Sequence, residues 1–197
     1  MVYLVRRWAV PKTHGPARRR ILDAAARRFY NDGVTATGID TITATAGVAK
    51  MSLYNNFASK ADLVAAYLTE RHDEWLGLYA RRCVGADSAQ ARILAVFDAY
   101  LDHAEMAYEK GFRGCGLLNA AAELPAGSPG REAVREHKAE VEQILRTELT
   151  RIRPYAEAAA LAEHLSFLLE GAMARAGLDG SAERLTRARA IAVGLIS

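Results

Sequence analysis

The sequence predicts an all-α protein of about nine helices, a small N-terminal head followed by a larger helical body. Three observations carry that expectation. Beyond residue 16, apolar residues recur at three- and four-residue spacing. No segment alternates apolar and polar residues as a half-buried strand does. Clusters rich in Gly, Pro and Ser cut the chain into pieces of helical length. With 197 residues, of which 51% are hydrophobic and 25% charged, the chain can bury a substantial core and has an ordinary globular balance.

The elements follow in order. Residues 1–16 contain Pro11, Gly15 and Pro16, show no helical period, and read as a flexible arm. Over 17–31, Ile21, Leu22, Ala25, Ala26 and Phe29 form an apolar stripe flanked by Arg18, Arg19, Arg20, Arg27 and Arg28, and Asn31-Asp32-Gly33 stops it. Thr37 is placed to cap a short second helix over 38–46, in which Ile39 and Ile42 face inward. Gly47 breaks that helix, and a third follows over about 50–57 with Leu53 and Phe57 on its buried side. Ser59 caps a long helix over 60–83. Further helices are expected over 89–110, 116–124, 131–151, 156–178 and 182–196, divided by Gly111, Gly114, Pro125 to Gly130, Pro154, Gly177 and Gly180. The head is thus expected over 17–62 and the body over 63–197.

Charge is segregated along this layout. The chain carries +3 overall, yet the first sixty residues hold ten Lys and Arg against only Asp23, Asp32 and Asp40, so the head is basic and the rest acidic on balance. A basic end is what an electrostatic footprint on a polyanion requires, since each cation seated on a phosphate releases condensed counterions. Cys83 and Cys115 form neither a disulfide framework nor a metal-ligand cluster, and no metal or cofactor is expected. The opening residues are interrupted by Arg6 and Arg7, which leaves no apolar run for a signal peptide or membrane span; a cytoplasmic protein with no membrane partner is expected.

A helix-turn-helix needs a supporting helix, a tight turn and a second helix whose outer face reaches the major groove. In residues 37–60, Ile39, Ile42, Val48, Leu53 and Phe57 supply a small core, and Lys50, Met51, Ser52, Tyr54, Asn55 and Asn56 are left outside. Thr37, Ile42, Ala46-Gly47-Val48, Leu53-Tyr54, Phe57, Lys60 and Leu63 match a pattern that resembles the TetR family of regulators. The preceding ILDAAARRFYNDGV belongs to the same resemblance, which covers about residues 17–63; the remainder matches mainly in length and helical order. The resemblance implies a double-stranded DNA operator as partner. It implies phosphate contacts from Thr37, Tyr54 and Lys60, and contacts at or near base edges from Lys50, Met51, Ser52, Asn55 and Asn56. Lys60 also opens a helix, where free N–H groups already favour a phosphate. Thr43, Thr45 and Met51 depart from the family's common residues and bear on the operator's sequence.

The resemblance further implies a homodimer formed through the last two helices, with Leu161, Leu165, Leu168, Ala172 and Ala176, and then Ala188, Ile191, Ala192 and Leu195, along its seam. It also implies a cavity for a small apolar or aromatic effector among the middle helices. Trp75, Tyr79, Phe97, Tyr100, His103, Tyr108, Phe112, Cys115, Asn119 and Phe167 are available to line it, although each equally suits an ordinary helical core. The stretch GFRGCGLLNAAAEL resembles a Gly-Cys segment of some family members, which would bring Cys115 and Asn119 to the body's interior. The expected function is therefore a repressor released from a palindromic operator by an effector. Two alternatives remain open, an architectural DNA binder with no ligand and a small helical enzyme. The enzyme has little support: none of the five His has a Glu three residues before it, as a di-metal carboxylate bundle would need, and no nucleophile elbow, phosphate loop or dinucleotide fingerprint is present.

Overall fold

The computed structural model describes residues 15–197, and among these the chain forms nine helices and no strand. Most of the expected arm, residues 1–14, lies outside the described residues. Pro16, read as part of that arm, is instead the first residue of α1 (Pro16–Asp32), a position where its missing N–H costs nothing. Next come α2 (Ile39–Ala46) and α3 (Lys50–Asn56). Gly47 joins them with its backbone in the left-handed region, φ +62°, and its N–H closes onto the carbonyls of Thr43 and Ala44. Thr37 does not cap α2. Gly38 holds the cap position, and Thr37 turns inward with its hydroxyl against the carbonyls of Gly33, at 2.6 Å, and Arg28.

The body is α4 (Lys60–Arg82), α5 (Ala89–Ala104), α6 (Gly116–Glu123), α7 (Pro129–Leu149), α8 (Tyr155–Asp179) and α9 (Glu183–Ile196). Ser59, Ser88 and Ser128 cap α4, α5 and α7 by accepting the N–H three residues on. One boundary differs materially from the sequence reading: α5 stops at Ala104 instead of continuing to 110. The chain turns back there as Tyr108 donates its hydroxyl to the His103 carbonyl at 2.8 Å, which also takes the Met106 N–H, and stacks on Tyr30 of α1.

α1 packs on α2, α3, α4 and α6; α4 packs on α5 and α7; and α7, α8 and α9 pack in sequence. One continuous apolar core runs from Ile21, Ile42, Leu53 and Phe57 in the head to Leu145, Leu165 and Ala192 in the body. Head and body are therefore joined by packing as well as by the chain.

Candidate functional site

In the head, packing decides which side chains face out. Leu53 and Phe57 are buried, which turns Lys50, Met51, Tyr54 and Asn55 to the surface; Met51 is 69% exposed. Ser52 and Asn56 are half-buried, and Asn56 donates its amide N–H to the Ser52 carbonyl at 2.7 Å. That bond ties the half-buried Asn56 amide to its own helix and uses one of its two N–H groups, which counts against the expected paired contact with N6 and N7 of an adenine. Asn55 is exposed and its amide has no protein partner among the described residues. Thr37 is corrected as well: at 2% exposure, with its hydroxyl already occupied, its side chain is structural. Lys50 forms an ion pair with Asp40 across the turn at 2.8 Å, and this partner holds its ammonium above the usual lysine range. Lys60 reaches the Thr35 carbonyl at 3.4 Å beside the start of α4. Thr43 and Thr45 acquire a local reason. Thr43 bonds back to the Asp40 carbonyl, and Thr45 accepts from Arg28 at 3.1 Å, pinning α2 to α1.

Above the head lies a cavity of about 420 Å³. Of the side chains expected around it, Trp75, Tyr100, His103 and Cys115 line it, as does Tyr108. The other expected residues do not. Phe97 is buried in the core, Tyr79 stacks on Trp75 at 5.7 Å between centroids, and Phe112 packs on Tyr108 and His103. Asn119 donates to the Arg113 carbonyl at 3.0 Å, and Phe167 is 66% exposed on the outside of α8. Residues that the sequence did not single out complete the wall: Tyr30 from α1, Tyr67 and Arg71 from α4, His137 from α7 and Met173 from α8.

Its exposed members, among them Asp23, Arg27, Met106 and Glu109, mark a mouth between α1 and the α5–α6 connection. That connection is tied to α1 by Arg27 with Glu109 at 3.7 Å, Asn31 with Glu109 at 3.2 Å, and Lys110 with Asp32 at 2.5 Å. Arg113 adds a deeper clamp. Its guanidinium donates to the carbonyls of Tyr30 and Asn31 at 2.9 and 2.7 Å, closing the end of α1, and its backbone N–H donates to the Tyr30 hydroxyl, itself 3.2 Å from the Gly114 carbonyl.

The interior is neutral in its imidazoles and donor-rich. Burial, with Arg71 and Lys138 adding to it, lowers His103 to about 4. Burial, again with Lys138, lowers His137 to about 3, and its Nδ1 lies 2.9 Å from Nδ1 of His72. Burial also raises the phenols of Tyr67 and Tyr100, so both stay protonated. Burial alone would discharge Lys138. The Glu170 carboxylate, 2.7 Å away, reverses that and holds it as an ammonium.

The expected dimer seam divides on inspection. Leu165, Ala176, Ala188 and Ala192 point into the protomer's own core, all but Ala188 completely, and are corrected accordingly. Leu161, Leu168, Ala172 and Leu195 are half-buried, and Ile191 is exposed. Phe167 and Leu178, the latter 82% exposed, face outward from α8, and Ile191 and Val193 are exposed on either side of the buried Ala192 of α9.

A helix-turn-helix head, packed through its first helix onto an all-helical body that encloses a cavity, defines a class of regulator. The profile for bacterial regulatory proteins of the tetR family matches residues 21–67, and that for the tetracyclin repressor-like C-terminal domain matches residues 89–192. This chain belongs to the TetR family and is a DNA-binding transcriptional regulator, which removes the enzyme alternative. Among solved structures it is similar to a TetR-family transcriptional regulator from Streptomyces coelicolor, at 30% identity and TM-score 0.84, covering 92% of this chain and 94% of that one. It is likewise similar to a TetR regulator from Chloroflexus aurantiacus, at 29% identity and TM-score 0.79, covering 91% and 93%. Among curated relatives, the regulator TtgR of Pseudomonas putida is 41% identical over 56 residues, 28% of this chain. The activator FasR of Mycolicibacterium smegmatis is 32% identical over 88 residues, 45% of this chain. These matches span only 27% and 40% of the relatives' own lengths. Among the described residues no helix is long and apolar enough to cross a membrane.

Proposed function

We propose that this regulator is a cytoplasmic homodimeric repressor. Two heads, each residues 17–62, grip a palindromic operator, and a small apolar or aromatic effector in the body, residues 63–197, loosens that grip. The observation that carries the reading is the cavity's position. Asp23, Ala26, Arg27, Tyr30 and Asn31 of its wall belong to α1, the helix onto which α2 and α3 pack. An occupant therefore touches the element that orients the reading helix, and a ligand that binds one orientation better shifts the population toward it. This favours an effector-linked regulator over an architectural DNA binder, which has no use for such a cavity.

The exposed Phe167 and Leu178 of α8 and Ile191 of α9 supply apolar surface for a second copy, with Leu161, Leu168, Ala172 and Leu195 at its margins. In the dimer the two α3 helices would enter successive major grooves about 34–36 Å apart. Base edges would be met by Asn55 together with Lys50, Met51 and Ser52, and phosphates by Tyr54 and Lys60.

The test combines light scattering at micromolar concentration, anisotropy on DNA upstream of the gene and its neighbours, and transcription in vitro. A dimer is expected, together with tight binding to a palindrome, weakened by at least one compound of an apolar library, and lower transcript when the protein is added. A monomer, affinity unmoved by the whole library, or raised transcript would each overturn the corresponding part.

A further inference from the structure

We propose that the effector is an aromatic carboxylate, its carboxylate seated at the N-terminus of α6 against the hydroxyl of Tyr67 and its ring among Tyr30, Trp75 and Tyr100. This deepens the reading of the cavity as an effector site and rests on it. Cys115, Gly116 and Leu117, at the start of α6, line the cavity. No side chain caps this helix and no acidic residue stands in its first turn. The N–H groups of Gly116, Leu117 and Leu118 have no acceptor among the described residues; the first helical bond here is from Asn119 to the Cys115 carbonyl. A helix start with free N–H groups and the positive end of its dipole attracts an anion.

A second, independent feature points to the same place. Tyr67 is 1% exposed, and its hydroxyl makes no hydrogen bond, though a buried phenol ordinarily finds a partner. It aims at the helix start: a Cβ on Gly116 would lie 2.9 Å from it and 3.2 Å from the Tyr30 ring, so only glycine leaves room there. The buried indole N–H of Trp75 also lacks an acceptor. The phenol and the amides at the start of α6 can donate, so the partner missing at that spot is an acceptor; the orphaned acceptor of the wall, Asn31 Oδ1, belongs to α1.

The cations near the cavity have partners of their own, Arg71 with Glu74 at 2.9 Å and Lys138 with Glu170 at 2.7 Å, so the choice of an anion rests on the unpaired donors at the start of α6. The lining carboxylates, Asp23 and Glu109, lie at the mouth, paired with Arg19 and Arg27. Five aromatic rings in the wall suit a flat body, and about 420 Å³ lies within the range of small-molecule sites.

Calorimetry on the full chain with 2-naphthoate, 2-naphthamide and 2-naphthylmethylammonium separates the possibilities, since the three share a frame and differ in head charge. Naphthoate should bind at least five-fold more tightly than the amide, and the ammonium should give no saturable heat. Tyr67→Phe keeps the ring that packs edge-on against Phe29 and should weaken naphthoate about ten-fold, the size expected for one hydrogen bond to a charged group, at an unchanged melting temperature. Amide or ammonium binding as tightly as naphthoate overturns the proposal, as does no heat from any of the three or a Tyr67→Phe chain that binds naphthoate unaltered. The variant is not essential, because the comparison of three heads stands on the unmodified protein. Operator anisotropy read in parallel separates the two claims. If the amide or ammonium both binds best and releases DNA, the carboxylate is wrong and the effector site stands; if naphthoate binds best but no compound of the apolar library moves operator affinity, the reverse holds.

Discussion

Asn55 and Asn56 are adjacent in sequence and identical in chemistry, yet the fold gives them different work. Asn56 turns its amide back onto the Ser52 carbonyl, whereas Asn55 presents its amide to the surface. Asn55→Ala is therefore expected to cost about 1–3 kcal/mol on the preferred operator and little on a variant changed at the contacted base. Asn56→Ala should affect both DNAs alike. Lys60→Ala should weaken every sequence and lower the salt slope by about 1 per head, because one fewer counterion is released. Anisotropy over a salt series checks all three, and equal loss on operator and random DNA for Asn55→Ala would sink its assignment. A different residue-scale effect comes from the buried imidazoles. His137 faces His72, Trp75 and Lys138; His103 faces Tyr108, Phe112, Arg71 and Lys138. Both are neutral when folded, at about 4 for His103 and about 3 for His137. The unfolded chain titrates its histidines near ~6.5. As pH falls below that, the unfolded chain binds protons that the folded chain refuses, so stability is lost from there downward, by about 1–2 kcal/mol per imidazole at pH 5. Melting curves at pH 7 and pH 5 should show the drop, and His137→Gln should narrow it.

At the scale of elements, α8 shows what periodicity can and cannot resolve. It is apolar nearly all round, so a stripe drawn through Leu161, Leu165, Leu168, Ala172 and Ala176 mixes two faces. Packing against α7 and α9 separates them: Ala158, Ala162, Leu165, Leu169 and Met173 turn inward, Phe167 and Leu178 outward. Phe167→Glu should accordingly yield a folded monomer by light scattering with a near-native circular dichroism spectrum. Leu165→Glu puts an unpaired charge into the protomer's own core and should abolish folding instead. A folded monomer from Leu165→Glu would mean that the inward face had been misassigned. The head was legible for the opposite reason: Ile39, Ile42, Gly47, Leu53 and Phe57 lie within nineteen residues and meet through local geometry. The cavity was legible only in part. Trp75, Tyr100, His103 and Cys115 belong to the middle helices, but Tyr30, Tyr67 and His137 reach it through contacts between distant segments that no spacing encodes. The early end of α5 was hidden likewise, since no Gly or Pro stands at 104–108 and the stop depends on Tyr108 meeting α1.

For the whole molecule, the question is how an occupant of the cavity reaches DNA. Of the bonds that join body to head, two sets engage the backbone at the end of α1 and in the loop beyond it. Glu123, at the end of α6, accepts from the N–H groups of Val34 and Thr35 at 3.1 and 2.6 Å; burial pushes its carboxyl up, but those two bonds more than offset that and hold it below the usual range. Arg113 grips the carbonyls of Tyr30 and Asn31 while its backbone holds the Tyr30 hydroxyl, and Tyr30 itself lines the cavity. A ligand displacing Tyr30 therefore acts on the end of α1 through Arg113, whereas Glu123 is anchored on the loop beyond. Coupling between two binding sites is reciprocal: if the effector weakens DNA binding by some factor, DNA must weaken effector binding by the same factor, commonly about 5- to 150-fold. Calorimetry of an active effector on the free protein and on the operator complex measures that factor twice over. In Arg113→Ala the dimer and the cavity should persist and the effector should still bind, but the ratio of its affinities with and without operator should fall toward one. Glu123→Gln, which keeps the shape and loses the charge that the two N–H groups favour, should loosen the head and reduce operator affinity while leaving more of that ratio intact. If Arg113→Ala keeps the full ratio, the signal does not pass through Arg113, and the latch between α1 and the α5–α6 connection, Arg27 and Asn31 with Glu109 and Asp32 with Lys110, takes its place as the route to test.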